Sequence, residues 1–210
     1  MLMVVVLMSC NTAKKRSASS PAAFEGKIIY DFKFEDKTGH MSAPMIKAFV
    51  GDEQTYVIKG NKYKTVMNGQ SKVTQYYLGG DTLYSHFLTV NNLLWNDATV
   101  NPDEVISYEI KKGAATIAGI KCDLLTIKSE EGTTLYYFNR KYRANPEDYA
   151  KHAYGFWKFC IEKTQALPIK QVTDSEELHV EIMAKEIKPM PVDNGEFKLP
   201  NLTLMKNPDH

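Results

Sequence analysis

The feature that most constrains this chain is a two-residue alternation of apolar and charged side chains that begins at Phe24 and recurs to the C-terminus. In "FEGKIIYDFKFED", Phe24, Gly26, Ile28, Tyr30, Phe32 and Phe34 share one face, and Glu25, Lys27, Asp31, Lys33 and Glu35 share the other. That period belongs to a half-buried antiparallel strand. Comparable runs follow at short intervals: "MIKAFVG", "QTYVIKG", "KYKTVMN", "SKVTQYYLG", "DTLYSHFLTV", "VISYEIKK", "ATIAGIKCDLLTIKS", "TTLYYFNRKY", "LPIKQVT" and "LHVEIMAKEIKPM". Turn signals separate them, among them Gly60-Asn61, Gly79-Gly80-Asp81 and Glu131-Gly132, and Asn68-Gly69 is the strongest hairpin signal. Asp174, Glu176 and Glu177 read as an acidic hairpin turn on the surface. The expected fold is α+β and mainly β: one large antiparallel sheet of about ten to eleven strands, curled because a sheet that size does not stay flat.

One segment breaks the pattern. In "ANPEDYAKHAYGFWKFCIEKTQALP", Asn145 suits an N-cap, Pro146 the first helical position, and Glu147 and Asp148 the positive end of the dipole. Tyr149, Ala153, Phe156, Trp157, Cys160 and Ile161 then recur on one helical face, and the helix is expected to end near Gln165, ahead of Pro168. Such a helix must lay its aromatic face on the concave side of the sheet. A shorter helix is expected after Asn101-Pro102-Asp103-Glu104.

The first residues do not belong to this pattern. The apolar run Met1–Met8 is too short to span a bilayer, which takes about 20 residues. It runs into Cys10 and then a basic, small-residue stretch with nothing to bury. Leu7-Met8-Ser9-Cys10 resembles a bacterial lipobox, in which the cysteine is acylated and becomes the first residue of the mature protein. No Lys or Arg precedes the run, as a signal peptide's n-region would have. The expected organisation is therefore signal peptide 1–9, lipidated Cys10 and flexible tether 10–23, and a single half-barrel domain 24–205. Export would place Cys122 and Cys160 in an oxidising compartment, where they either pair or stay as buried thiols. A bridge would close a loop of about 39 residues, worth roughly 4 kcal/mol.

The chemistry on offer is that of binding. No G-x-S-x-G, phosphate loop, dinucleotide fingerprint or H-E-x-x-H is present, and the five histidines are scattered. His179 shares a strand face with Glu181, a pair that suits a solvated contact better than a metal. A formal net charge of +1 gives nucleic acid no basic face. No catalytic residue, metal site or cofactor is expected, and the chain is expected to be a monomer. The informative surplus is aromatic: Tyr30 and Phe32 on the first strand, with Tyr149, Phe156 and Trp157 on the helix, either fill the core or line a cavity for a lipid or other apolar ligand.

The order of motifs resembles a known group: a lipobox and tether, "F-E-G-K-I-I-Y", a series of Tyr/Lys/Gly-rich hairpins, "I-A-G-I-K-C", a late helix, "L-P-I-K-Q-V", "V-E-I-M-A-K-E-I" and a closing "F-K-L-P". Over Phe24 to Pro200 this is similar to envelope lipoproteins of unknown function related to GLPGLI-type domains, themselves likened to the lipoprotein-carrier (LolA-like) half-barrel. The GLPGLI motif itself is absent; Gln165-Ala166-Leu167-Pro168-Ile169 stands in its place. The resemblance implies about eleven strands wrapped around one or more helices, with a concave face able to hold acyl chains and no catalytic residues. The function expected is a non-enzymatic envelope lipoprotein that binds a hydrophobic ligand, a lipid or lipidated protein, between sheet and helix. The alternative is an interaction lipoprotein with a filled core and an envelope protein partner. Asn11 to Lys14 lack an acidic surface-export run. That favours the periplasmic side of a membrane, the outer rather than the inner.

Overall fold

A computed structural model describes residues 22–208. Twelve strands form one curved, open sheet in the order β12-β6-β5-β4-β3-β2-β1-β11-β10-β9-β8-β7. One antiparallel meander comprises β1 (Gly26–Asp36), β2 (Glu53–Lys59), β3 (Lys62–Met67), β4 (Thr74–Tyr77), β5 (Thr82–His86) and β6 (Asn92–Asp97). A second comprises β7 (Val105–Ile117), β8 (Ile120–Ser129), β9 (Gly132–Arg143), β10 (Ala166–Ser175) and β11 (Leu178–Pro189). They are joined where β1 pairs with β11 along its whole length. The last strand, β12 (Thr203–Lys206), lies parallel to β6, the one departure from antiparallel pairing among the described strands.

The alternation in β1 puts Gly26, Ile28 and Tyr30 in the interior, and the acidic turn joins β10 to β11 where the sequence places it. Several local expectations are corrected. "MIKAFVG" is not a strand: residues Ala43–Phe49 form a short helix, α1, entered through Ser42 and a proline in its first turn. Proline fixes the helical φ and needs no N–H partner there, and this outweighs the weak alternation. Its Met45 and Phe49 are exposed, one turn apart, while Ile46 is buried. Asn101-Pro102-Asp103-Glu104 starts no helix; it belongs to the link from β6 to β7.

The long late helix is divided. A 3-10 turn (Pro146–Tyr149) with Asn145 as its cap is followed by a second (Tyr154–Phe156), and only Trp157–Thr164 is α-helix, α2. Gly155 and Phe156 both adopt left-handed φ, 63° and 59°, which turns the chain before α2. The C-terminal boundary falls as expected, with the Gln165 N–H closing on the Ile161 carbonyl at 2.8 Å.

Asn68-Gly69 makes no two-residue hairpin. Asn68 instead accepts the backbone N–H groups of Asp52 and Glu53 through Oδ1, at 2.9 and 3.0 Å. Gly69 donates to the Val50 carbonyl at 3.1 Å. A Cβ on Gly69 would collide with the backbone of Val50 and Gly51. This glycine is there for close approach, and tight two-residue turns form instead at Gly60-Asn61, Ala118-Gly119, Glu130-Glu131 and Glu176-Glu177. Gly69→Ala is expected to lower stability by about 1–3 kcal/mol, a typical overpacking cost, seen as a lower urea midpoint at unchanged m-value.

Candidate functional site

The concave face is identified by the residues that meet α2. Register aligns Gly26, Ile58, Tyr63, Tyr77 and Leu83 across β1 to β5, with Ile28 opposite Tyr56 in the next row of the same face. On the other meander it aligns Gln171, Tyr136 and Leu125 across β10 to β8. The segment between β9 and β10 crosses this face and divides it into two unlike halves.

On the β2–β4 side the space is filled with rings. Tyr63 stacks on Tyr56, with centroids 5.0 Å apart, and Tyr77 lies 4.4 Å from His152. Tyr149, which is 1% exposed, stacks on Tyr77, and its hydroxyl donates to the Gly60 carbonyl at 3.1 Å. His152 Nε2 is hydrogen-bonded to the Tyr63 hydroxyl at 2.7 Å, while Nδ1 has no partner among the described residues. Burial disfavours the imidazolium and pulls the His152 pKa down to about 4. The same burial pushes the Tyr56, Tyr63 and Tyr149 hydroxyls well above the usual phenol range.

The residues predicted to line one cavity are separated by this arrangement. Tyr149 belongs to the ring stack and Phe156 to a second core cluster with Leu125, Tyr136 and Cys160. Phe32 borders an outer groove beside α1. Only Tyr30 and Trp157 face a common void, of about 40 Å³, room for a water molecule or two. Tyr30 closes it by donating its hydroxyl to the Pro168 carbonyl at 2.9 Å.

The open half lies on the other side of the dividing segment. A cleft of about 270 Å³ is bounded by Tyr154, Gly155 and Phe156, by Thr134 and Tyr136 of β9, and by Gln171 and Thr173 of β10, with Asn101 and Asp103 from the β6–β7 link. Its wall is held by two hydrogen bonds to the left-handed Gly155: Tyr136 Oη donates to its carbonyl at 2.8 Å, and its N–H donates to Asn101 Oδ1 at 2.9 Å. Beyond it a wider hollow of about 990 Å³ shares Ser129, Glu131, Thr133, Asp174 and Leu178 with the cleft, and reaches Ile106 on the edge strand β7. Ile106, Tyr108 and Ile110 along that strand are 69%, 48% and 42% exposed. No sequence motif marks this cleft; its only local signal is the glycine inside an otherwise helical pattern.

Other sequence-level candidates resolve as follows. Cys10 lies outside the described residues. Cys122 and Cys160 are free and buried, in separate clusters of the core, so the structure holds thiols in place of the Cys122–Cys160 bridge. Desolvation pushes the Cys160 thiol up to about 12. His179 pairs with Asp174 at 2.8 Å, and Glu181 instead meets Lys170 at 3.0 Å. Among the described residues no cluster of His, Cys, Asp and Glu is arranged for a metal ion, and no helix is long and apolar enough to cross a membrane.

Two outcomes are expected. Unfolded His152 titrates near 6.5 and the folded ring near 4, so its contribution is complete above pH 6.5 and lost as pH falls. Urea unfolding at pH 5 is expected to show about 2 kcal/mol less stability than at pH 7 from this residue, and His152→Gln should flatten that slope. With Cys10→Ser, a thiol reagent should leave the native protein unlabelled and modify two cysteines once guanidinium has unfolded it.

No protein-family model and no curated protein matches the chain. Among solved structures, PNGF-II superposes with a TM-score of 0.50 at 12% identity, over 88% of this chain and 32% of that one. This chain therefore spans about a third of that protein's length. The Mycobacterium tuberculosis lipoprotein LppX aligns with a TM-score of 0.38 at 11% identity, over 80% of this chain and 89% of LppX. At 12% identity the likeness to PNGF-II speaks to the fold alone.

Proposed function

We propose that this protein is a non-enzymatic envelope lipoprotein, anchored through Cys10 on the periplasmic side of a membrane, that binds an amphipathic ligand on its concave face. The observation that carries the reading is the position of the free space. The contact between sheet and helix is filled by rings, whereas the cleft beside the helix opens into a much larger hollow. That hollow, at about 990 Å³, falls within the size of small-molecule sites, about 300–1,000 Å³. Their lining mixes aromatic and aliphatic groups with hydroxyls and amides, which suits a ligand with an apolar body and a polar end. The ligand expected between sheet and helix is thus moved to the open half of the same face.

A second reading, an interaction lipoprotein with a filled core, is favoured by one observation: the apolar row of Ile106, Tyr108 and Ile110 on an edge strand. Edge strands with free backbone groups are sites for adding a partner's strand.

The two separate in one experiment on the Cys10→Ser protein with the apolar dye N-phenyl-1-naphthylamine. The expected result is saturable enhancement of dye fluorescence, weakened at least tenfold by Thr173→Trp, which fills the cleft. Absence of uptake by the folded protein, with capture of a partner by cross-links placed on β7, would establish the second reading instead.

A further inference from the structure

Resting on the ligand-binding reading above, we infer that the cleft selects amphiphiles whose polar end is an organic cation. The charge of the lining carries this. Three carboxylates, Asp103, Glu131 and Asp174, border the cleft, and no Lys, Arg or His does. The wider hollow adds Glu130, Glu176 and Glu177 against Lys37 and Lys128. Lys37 is already committed: its Nζ donates to Asp174 Oδ1 at 2.8 Å and to the Ser175 carbonyl at 2.7 Å. That pair, with His179 on the same carboxylate, accounts for Asp174. Asp103 and Glu131 are left without a cation among the described residues, although Asp103 Oδ1 accepts the Glu131 N–H at 3.2 Å.

An anionic end, a fatty-acid carboxylate or a phosphate, would meet this field with no positive partner inside the cleft. The like charges raise its cost in a half-enclosed site, where screening by water is weaker. A substituted ammonium meets the opposite situation. It has two unpaired carboxylates to face, and the partly exposed ring of Tyr154 in the same wall, with Tyr136 and Phe156 buried behind it. An aromatic face beside carboxylates is the chemistry that holds alkylammonium groups. Hydroxyls and amides alone, as on Thr134, Gln171 and Thr173, would accept a neutral end equally well, so the carboxylates are what creates the preference.

The test compares three dodecyl compounds below their micelle concentrations as competitors for bound N-phenyl-1-naphthylamine on the Cys10→Ser protein: dodecyltrimethylammonium, dodecyl glucoside and laurate. The expected order is cation, neutral, anion, with at least a tenfold gap between the first and the last that narrows as salt is raised. In the Asp103→Asn, Glu131→Gln double variant the ratio of cation to neutral affinity should fall toward one. Laurate binding as well as the ammonium, or a ratio unmoved by the double variant, overturns the inference and leaves the ligand-binding reading standing. No displacement by any of the three, with no saturable dye uptake, overturns both.

Discussion

The curvature of this protein is imposed by the shortness of one connection. In the sheet order β6 and β7 are ten inter-strand spacings apart, roughly 48 Å along a flat sheet at about 4.8 Å each. The chain between Asp97 and Val105 has eight residue steps to cover that distance, at most about 29 Å when fully extended. The sheet has to curl until the chord fits the link, and the link then runs across the open side. It is fastened there by the Ala98 carbonyl, which accepts from the N–H groups of Ala153 and Tyr154 at 2.7 and 3.1 Å, and by Asn101 holding Gly155. Curl, crossover and late helical segment therefore form one unit.

That unit explains why the concave face is not uniform. Once the 145–156 segment is tied to the crossover, its first part can reach only the β2–β4 side, where Tyr149 and His152 close the ring stack. The chain must then reverse to send α2 toward β8 and β9. Two successive left-handed residues make that turn, and at Phe156, a bulky residue, the conformation costs on the order of 1–3 kcal/mol. Burial of the Phe156 ring and the Tyr136–Gly155 hydrogen bond offset it. The cleft is the space left inside the bend.

Much of the fold was legible because it is local. The alternation of β1, the acidic turn at Glu176-Glu177 and the end of α2 at Gln165 depend on neighbours in sequence. Asn68-Gly69 misled because the same residue pair that favours a hairpin turn also serves a side-chain cap and a close backbone contact, and only the position of α1 decides between them. The break at Gly155 was hidden because the apolar spacing before and after it stays in phase with one helix. Tyr30, Phe32, Tyr149, Phe156 and Trp157 were recognisable as aromatics of the apolar face, but their division among four environments is not written in their spacing. The cleft residues were passed over for a different reason. Thr134, Gln171 and Thr173 are polar residues in alternating strands, and a period-2 pattern assigns such residues to the solvent side.

Those polar positions are the least expected part of the structure in energetic terms. Thr134 is 3% exposed, and its hydroxyl has only Thr173 Oγ1 at a distant 3.5 Å. Its neighbours on the same face, Leu125, Ile127 and Tyr136, are fully buried and show what these strands carry where packing alone decides. Replacing a weakly paired buried hydroxyl by an aliphatic group of the same shape is often neutral or stabilising. A row of threonine and glutamine inside the curl is therefore not what stability alone would select. A polar group that must be met by something entering from the open end gives these residues a purpose that packing does not.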